Sequence, residues 1–217
     1  MIGLLAKIIP LDLASTLSPG IFALAIVLLG SQNHPQKRIL SLLTGSLVAG
    51  IAITILGVFL GLAAPSGMGQ SNTSAIIDIV LGILLLGLGF QALFGKERAP
   101  KPQSAQAHQM IKWLLIGFAI SITNLDAAFL NFTAAKEVGG AQNIDDAIKI
   151  ILLAVNLIFF TLPITLPLII YLIFPKWADR VLSAINRPVV KYSKYIMFVL
   201  LVAFGIYLTY RGIAHFL

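Results

Sequence analysis

The residues of this chain that could do chemistry are few, and they stand inside long apolar runs. Ser121, Thr123, Asn124, Asp126 and Asn131 share one such run. Asp126 lies about fourteen residues into it, roughly 21 Å along a helix rising 1.5 Å per residue. A carboxylate that deep in a bilayer costs about 2.5–3.5 kcal/mol, so it faces protein or water. It reads as a carrier of a proton or a contact for a polar cargo, with hydrogen-bonded glue between helices as the structural alternative. Thr123 neighbours it on a helix face, and a local unwinding would add Asn124.

Two further groups have the same character. Ser15, Thr16 and Ser18 precede Pro19 and Gly20, and a proline there leaves the Ser15 carbonyl without its usual donor. Such a break suits either a half-helix site for a cation or polar group, or a plain kink. Asn156, Thr161, Pro163, Thr165 and Pro167 form the third group. Two prolines four residues apart bend one helix face, which would hinge, line a cavity or pack as a rigid kinked element. Asp12 sits about one turn inside a boundary and reads as interfacial or as the mouth of a pathway. Asp78 reads as interfacial.

Other chemistries are missing. There is no cysteine, which removes disulfides, thiolate metal sites and cysteine nucleophiles. His34, His108 and His215 lie in loops or near the end without metal-ligand spacing, and no phosphate-cradling glycine loop, HExxH or GxSxG occurs. The expectation is a protein without cofactor or metal and without enzymatic activity, whose active transport would draw on an ion or proton gradient.

The surrounding elements explain these placements. Of 217 residues, 59% are hydrophobic and 11% charged, with a mean hydropathy of +0.98, against roughly 45–50% and about 25% in soluble domains. Six stretches reach the roughly 20 residues a membrane helix needs, near 8–30, 39–63, 75–95, 112–135, 147–174 and 195–216. Most of the 15 Lys and Arg fall in the first, third and fifth connections, among them Lys37, Arg38, Lys96, Arg98, Lys101, Lys176 and Arg180. Those connections should be cytoplasmic and both termini outside. The net charge of +7 then reflects topology, not nucleic-acid binding.

The segment 96–111, with Pro100 and Pro102, separates a first three-helix repeat (1–95) from a second (112–217). An odd number of spans per half forces the halves into opposite orientations, the plan of many secondary transporters. Ser15 to Ile26 can be laid over Ser121 to Phe132 so that Ser18 meets Asn124 and Gly20 meets Asp126. Ser41, Gly45, Ala49, Gly57 and Gly61 provide small-residue packing for a compact bundle or a homodimer. The basic stretch after Pro175, with Trp177, Val181, Leu182 and Ile185, suits either a short helix on the headgroups or a loop.

The runs from Leu17-Ser18-Pro19-Gly20 through Gly50, IGFAISITNL in the fourth span, and the last stretch from Pro167 to Ile213 resemble the GAP (Sap) proteins, six-helix members of the lysine-exporter superfamily. The resemblance implies a secondary exporter in the inner membrane, with relatives that move glycolipids, amino acids or cations. Leu17-Ser18-Pro19 matches the family's first-helix motif and Asn124 its fourth-helix Asn. Leu125 and Asp126 replace the Pro and Lys that follow, and the reversed charge argues against an anionic or lipid-phosphate cargo. The expected architecture is an all-α, six-span protein. Its partners would be membrane lipid and a small solute or lipid substrate, exported through a cavity lined by Ser18, Asn124, Asp126, Thr161 and Thr165, with Asp126 carrying the proton. Lipid or glycolipid flipping and a non-transporting membrane scaffold are the alternatives.

Overall fold

A lipid-exposed backbone must bond within its own segment, and a chain this apolar becomes helical. The computed structural model describes residues 2–30, 34–63, 72–94, 110–174 and 178–216. These residues form α1 (Ile2–Ser15), α2 (Pro19–Leu29), α3 (Pro35–Ala63), α4 (Asn72–Phe94), α5 (Met110–Thr123), α6 (Leu125–Gly139), α7 (Asp146–Ile173) and α8 (Ala178–Ala214), with no strand among them. By length and composition α3, α7 and the Tyr195–Ala214 part of α8 can cross a membrane. Counting each of the bent pairs α1–α2 and α5–α6 as one span raises the number to five. The remaining expected span is α4. Its apolar part, Ala75–Gln91, reaches about 26 Å at 1.5 Å per residue, short of a ~30 Å hydrocarbon core.

The linker expected over 96–111, with Pro100, Pro102 and His108, lies outside the described residues except for its last two, which open α5. Helix α8 runs unbroken from Ala178. No separate surface helix therefore precedes the last span, because Leu182 is drawn into an apolar cluster with Ile39, Leu42 and Trp113. Trp177 is outside the described residues.

Two apolar cores hold the bundle. One joins α2, the start of α3, Trp113 of α5, Ile164 and Leu168 of α7, and Leu182. The other joins Ile8, Leu11 and Ala14 of α1 with Leu81 and Leu85 of α4, Leu130, Ala134 and Val138 of α6, and Met197, Leu201 and Leu208 of α8. Each bent pair passes from one core to the other at its bend, α1–α2 in one sense and α5–α6 in the reverse. Outside the cores, large apolar side chains such as Ile55, Phe59, Ile83, Ile150 and Val199 remain exposed, a surface suited to lipid.

The small residues are used within the chain. A methyl group added at Gly57 would lie 2.6 Å from the Phe132 carbonyl oxygen, and one at Gly139 2.6 Å from that of Val58. Gly45 and Gly117 are tighter still, against the carbonyls of Leu114 and Leu42. Helix α3 thus lies backbone to backbone on α5 and α6, and Gly82, Gly205 and Gly212 do the same between α4 and α8. The GxxxG of α3, read from sequence as a packing or dimer face, is occupied by α6. Ala in place of Gly normally gains about 1 kcal/mol in a helix. Gly45→Ala and Gly117→Ala are instead expected to cost about 1–3 kcal/mol through overpacking, while Gly87→Ala, with nothing within 4 Å, should show the ordinary gain. Thermal unfolding in detergent micelles compares the three.

Candidate functional site

The two bends bring the first and fourth polar groups together. At the first, Pro19 lacks an N–H and disfavours the helical conformation of the residue before it. Ser18 takes φ −111° and ψ 80°, and the axes of α1 and α2 differ by 50°. At the second there is no proline. Asn124 leaves the helical region at φ −78° and ψ 70°, and α5 and α6 differ by 75°. The sharper bend is thus made at an asparagine with no proline beside it. Both residues are helix N-caps without a side-chain cap bond to their own helix. Asn124 Nδ2 instead donates to Ser18 Oγ at 2.7 Å, so the N-termini of α2 and α6 meet through the residues that the sequence overlay pairs.

The other residues of these groups are placed as follows. Ser15 donates to the Asp12 carbonyl at 2.7 Å and Thr16 to that of Leu13 at 2.6 Å, sealing carbonyls at the end of α1. Pro19 opens α2, and a methyl group added at Gly20 would meet nothing within 4 Å, so the space beside this turn is open. Thr123 is exposed and bonded to the Ala119 carbonyl. Asp126 is half-buried in the first turn of α6 and accepts from the Ala127 N–H at 3.0 Å. A carboxylate there is stabilised by the helix N-terminus. Ser121 donates to Ser46 Oγ at 2.8 Å, tying α5 to α3.

The third group divides. Helix α7 continues through Pro163 and Pro167. Thr161 and Thr165 donate to the carbonyls of Leu157 and Thr161, not to those of Phe159 and Pro163 that the prolines free. Asn156, by contrast, donates to Asp12 Oδ1 at 2.7 Å. Thr54 donates to Asn156 Oδ1 at 3.5 Å, and Asn131 Nδ2 to Thr54 Oγ1 at 3.3 Å. Asp12 and Asn156 are each 1% exposed and Asn131 0%. Asp12 is therefore enclosed within the bundle, held against α7 by Asn156.

A second charged assembly was not legible from the sequence. Asp78 and Lys136, both 0% exposed, are paired directly. Arg211 reaches Asp78 at 2.8 Å and Glu137 at 2.7 Å, and Lys7 reaches Glu137 at 3.2 Å. The Tyr207 ring lies 5.7 Å from the Lys7 ammonium and 5.5 Å from the Arg211 guanidinium, a cation–π distance. Each charge alone looks interfacial. The available signal was that five charges from four helices fall at the same expected end of the bundle with nearly balanced sign. Asp78 is thus a fully buried partner joining α4, α6 and α8.

No curated protein and no solved structure matches the chain. The family model for Sap, sulfolipid-1-addressing protein, matches residues 8–214, which takes in both bends, the polar chain and most of the charged assembly. The chain belongs to the Sap family. It is a membrane protein with apolar helices, and the family's description associates it with lipid addressing.

For this Sap-family chain the charged assembly yields a stability prediction. Removing one partner of a buried ion pair costs about 3–5 kcal/mol, whereas an apolar pair of similar volume is close to neutral. Asp78→Leu alone, which strands the fully buried Lys136, is expected to lower stability by that amount, and Asp78→Leu with Lys136→Met to recover most of it. Unfolding in detergent measures both, and a double variant no better than the single one would contradict the pairing.

Proposed function

We propose that the chain is a secondary exporter of an amphiphile, whose polar head passes the junction of Ser18 and Asn124 while its tails stay in lipid. The observation that carries this reading is the meeting of two helix N-termini at the 2.7 Å bond from Asn124 to Ser18. Interrupted helices are tolerated at membrane depth where they line a cavity or pack in protein, and half-helix ends supply binding groups in many transporters. The open space beside Gly20 and the exposed apolar belt fit a head group moving beside lipid.

In this reading the chain has six spans, α4 being the one that the bilayer must thin to accommodate. The two three-helix halves are inverted repeats, as the opposite passage of the bent pairs between the cores suggests, and both termini face outward in a cell's inner membrane. The lysine-exporter superfamily, which the sequence resembles, supplies a functional analogy. The family description names a sulfolipid. A sulfate suits a helix N-terminus, but Asp126 already occupies that of α6 and opposes a second negative charge there. Asp126 is therefore assigned to cargo selection, favouring a neutral or cationic head.

The full chain in lipid vesicles, with fluorescent-head lipids and a membrane-impermeant quencher, tests this. The protein should accelerate transfer of a lipid with a neutral or amine-bearing head. Asn124→Leu should slow that transfer about tenfold, and Asp126→Asn should raise transfer of an anionic lipid relative to an amine lipid by about tenfold, the effect of one charge a few ångströms away in a partly wet site. No acceleration by the unmodified protein, or movement of small solutes without lipid, would overturn the proposal.

A further inference from the structure

Asp12 is a buried carboxylate with no counter-charge among the described residues, and that is physically demanding. Its side chain has one hydrogen-bond partner, the Asn156 amide, and it enters no ion pair among the described residues. Isolated buried charges are neutralised by a proton or an ion unless they are paired. The charged groups on the elements around it are engaged elsewhere. On α1 itself, Lys7 holds Glu137. On α6, Lys136 holds Asp78, Glu137 is shared by Lys7 and Arg211, and Asp126 accepts from its own helix. On α7, Lys149 pairs with Asp146 near the helix start, and on α8 Arg211 is divided between Asp78 and Glu137 beside Tyr207.

A second observation lies at the far end of the chain of bonds. Asn131 Oδ1 is buried and has no partner, a state that few buried polar atoms tolerate. With Asp12 ionised, Asn156 donates to it, Thr54 to Asn156 and Asn131 to Thr54, which leaves that final acceptor bare. With Asp12 protonated, the same heavy atoms can carry every bond the other way once the two amides turn over. Asp12 then donates to Asn156, Asn156 to Thr54, and Thr54 to Asn131 Oδ1, and the position without a partner holds the Asn131 amide nitrogen in place of its oxygen.

We propose that Asp12 is the proton-binding site of this protein, and that Asn156, Thr54 and Asn131 report its protonation from α1 across α7 and α3 to α6. The proton adds to a carboxylate oxygen and leaves from it, with no other bond made or broken. Asn131 stands seven residues beyond Asn124 on α6, about 10 Å along the axis, so the relay ends on the helix that forms one side of the cargo junction. This deepens the exporter reading and rests on it for the use made of the proton, but the site itself is measurable without transport.

The test is infrared difference spectroscopy of the full chain in lipid as pH is varied. The unmodified protein is expected to show a protonated carboxylic C=O stretch that disappears as pH rises. Asp12→Asn should abolish that band and Asp126→Asn should retain it. Asn156→Leu should move the band to higher frequency, since an unbonded carbonyl stretches more stiffly, and this readout serves if Asp12→Asn proves unstable. A band that survives Asp12→Asn, the lack of any such band, or one that grows only when sodium is withdrawn at constant pH would overturn the assignment. A correct band with no lipid transfer would refute the exporter and leave the site standing.

Discussion

A helix interrupted at membrane depth exposes backbone groups that lipid cannot satisfy, and everything distinctive in this protein follows from having two such interruptions. Each unsatisfied group costs several kcal/mol in hydrocarbon. Each bend answers this with side chains of its own, and the two are then joined. Ser15 and Thr16 seal carbonyls at the end of α1, Asp126 takes an N–H at the start of α6, and Ser18 and Asn124 bond to each other. Placed side by side, the pair creates one polar locus within an apolar bundle.

Such a locus needs a stiff frame, and the frame is made by glycine. Because lipid is as apolar as leucine, helices in a bilayer associate through close van der Waals fit, not through a hydrophobic effect. Helix α3 lies against the backbones of α5 and α6 at Gly45, Gly117, Gly57, Gly61 and Gly139, and α4 against α8 at Gly82, Gly205 and Gly212. The charged assembly then fastens α1, α4, α6 and α8. Its two acidic and three basic groups leave one net positive charge.

The legible and illegible parts of this design divide along physical lines. The bend at Ser18 could be read because proline removes a donor wherever it stands, and the polar content of Asn124 and Asp126 marked the second. The packing role of Gly45, Gly57 and Gly61 was visible in their spacing, although spacing alone did not say which helix would fill them. The roles within the polar groups were less accessible. Asp126 drew attention as the deepest carboxylate, yet depth along one helix says nothing about which way a side chain turns, and it turns to its own backbone. Asp12 looked shallow, but the partner that defines it, Asn156, is supplied by α7. The pairing of Asp78 with Lys136 and Arg211 likewise joins residues far apart in the chain, each unremarkable by itself. Periodicity and composition report on local sequence, whereas polar partners are chosen by tertiary packing.

The unequal packing of the two bent spans bears on how such a protein could move. Helices α5 and α6 are clamped to α3 by backbone contacts on both sides of the bend, and no side chain there can shrink to allow sliding. Helix α2 has no comparable glycine seat. Around it the core is made of branched and aromatic side chains, Ile21, Phe22, Leu28 and Leu29, and Gly20 faces open space. Rotameric side chains can repack where backbone contacts cannot, since packed interfaces shift by small discrete rearrangements. If one side of the Ser18–Asn124 junction is to open, the cheaper displacement is that of α2 away from a stationary α6. In that event the clamped helix would hold Asn124, Asp126 and Asn131 in register, and the unclamped one would supply the motion.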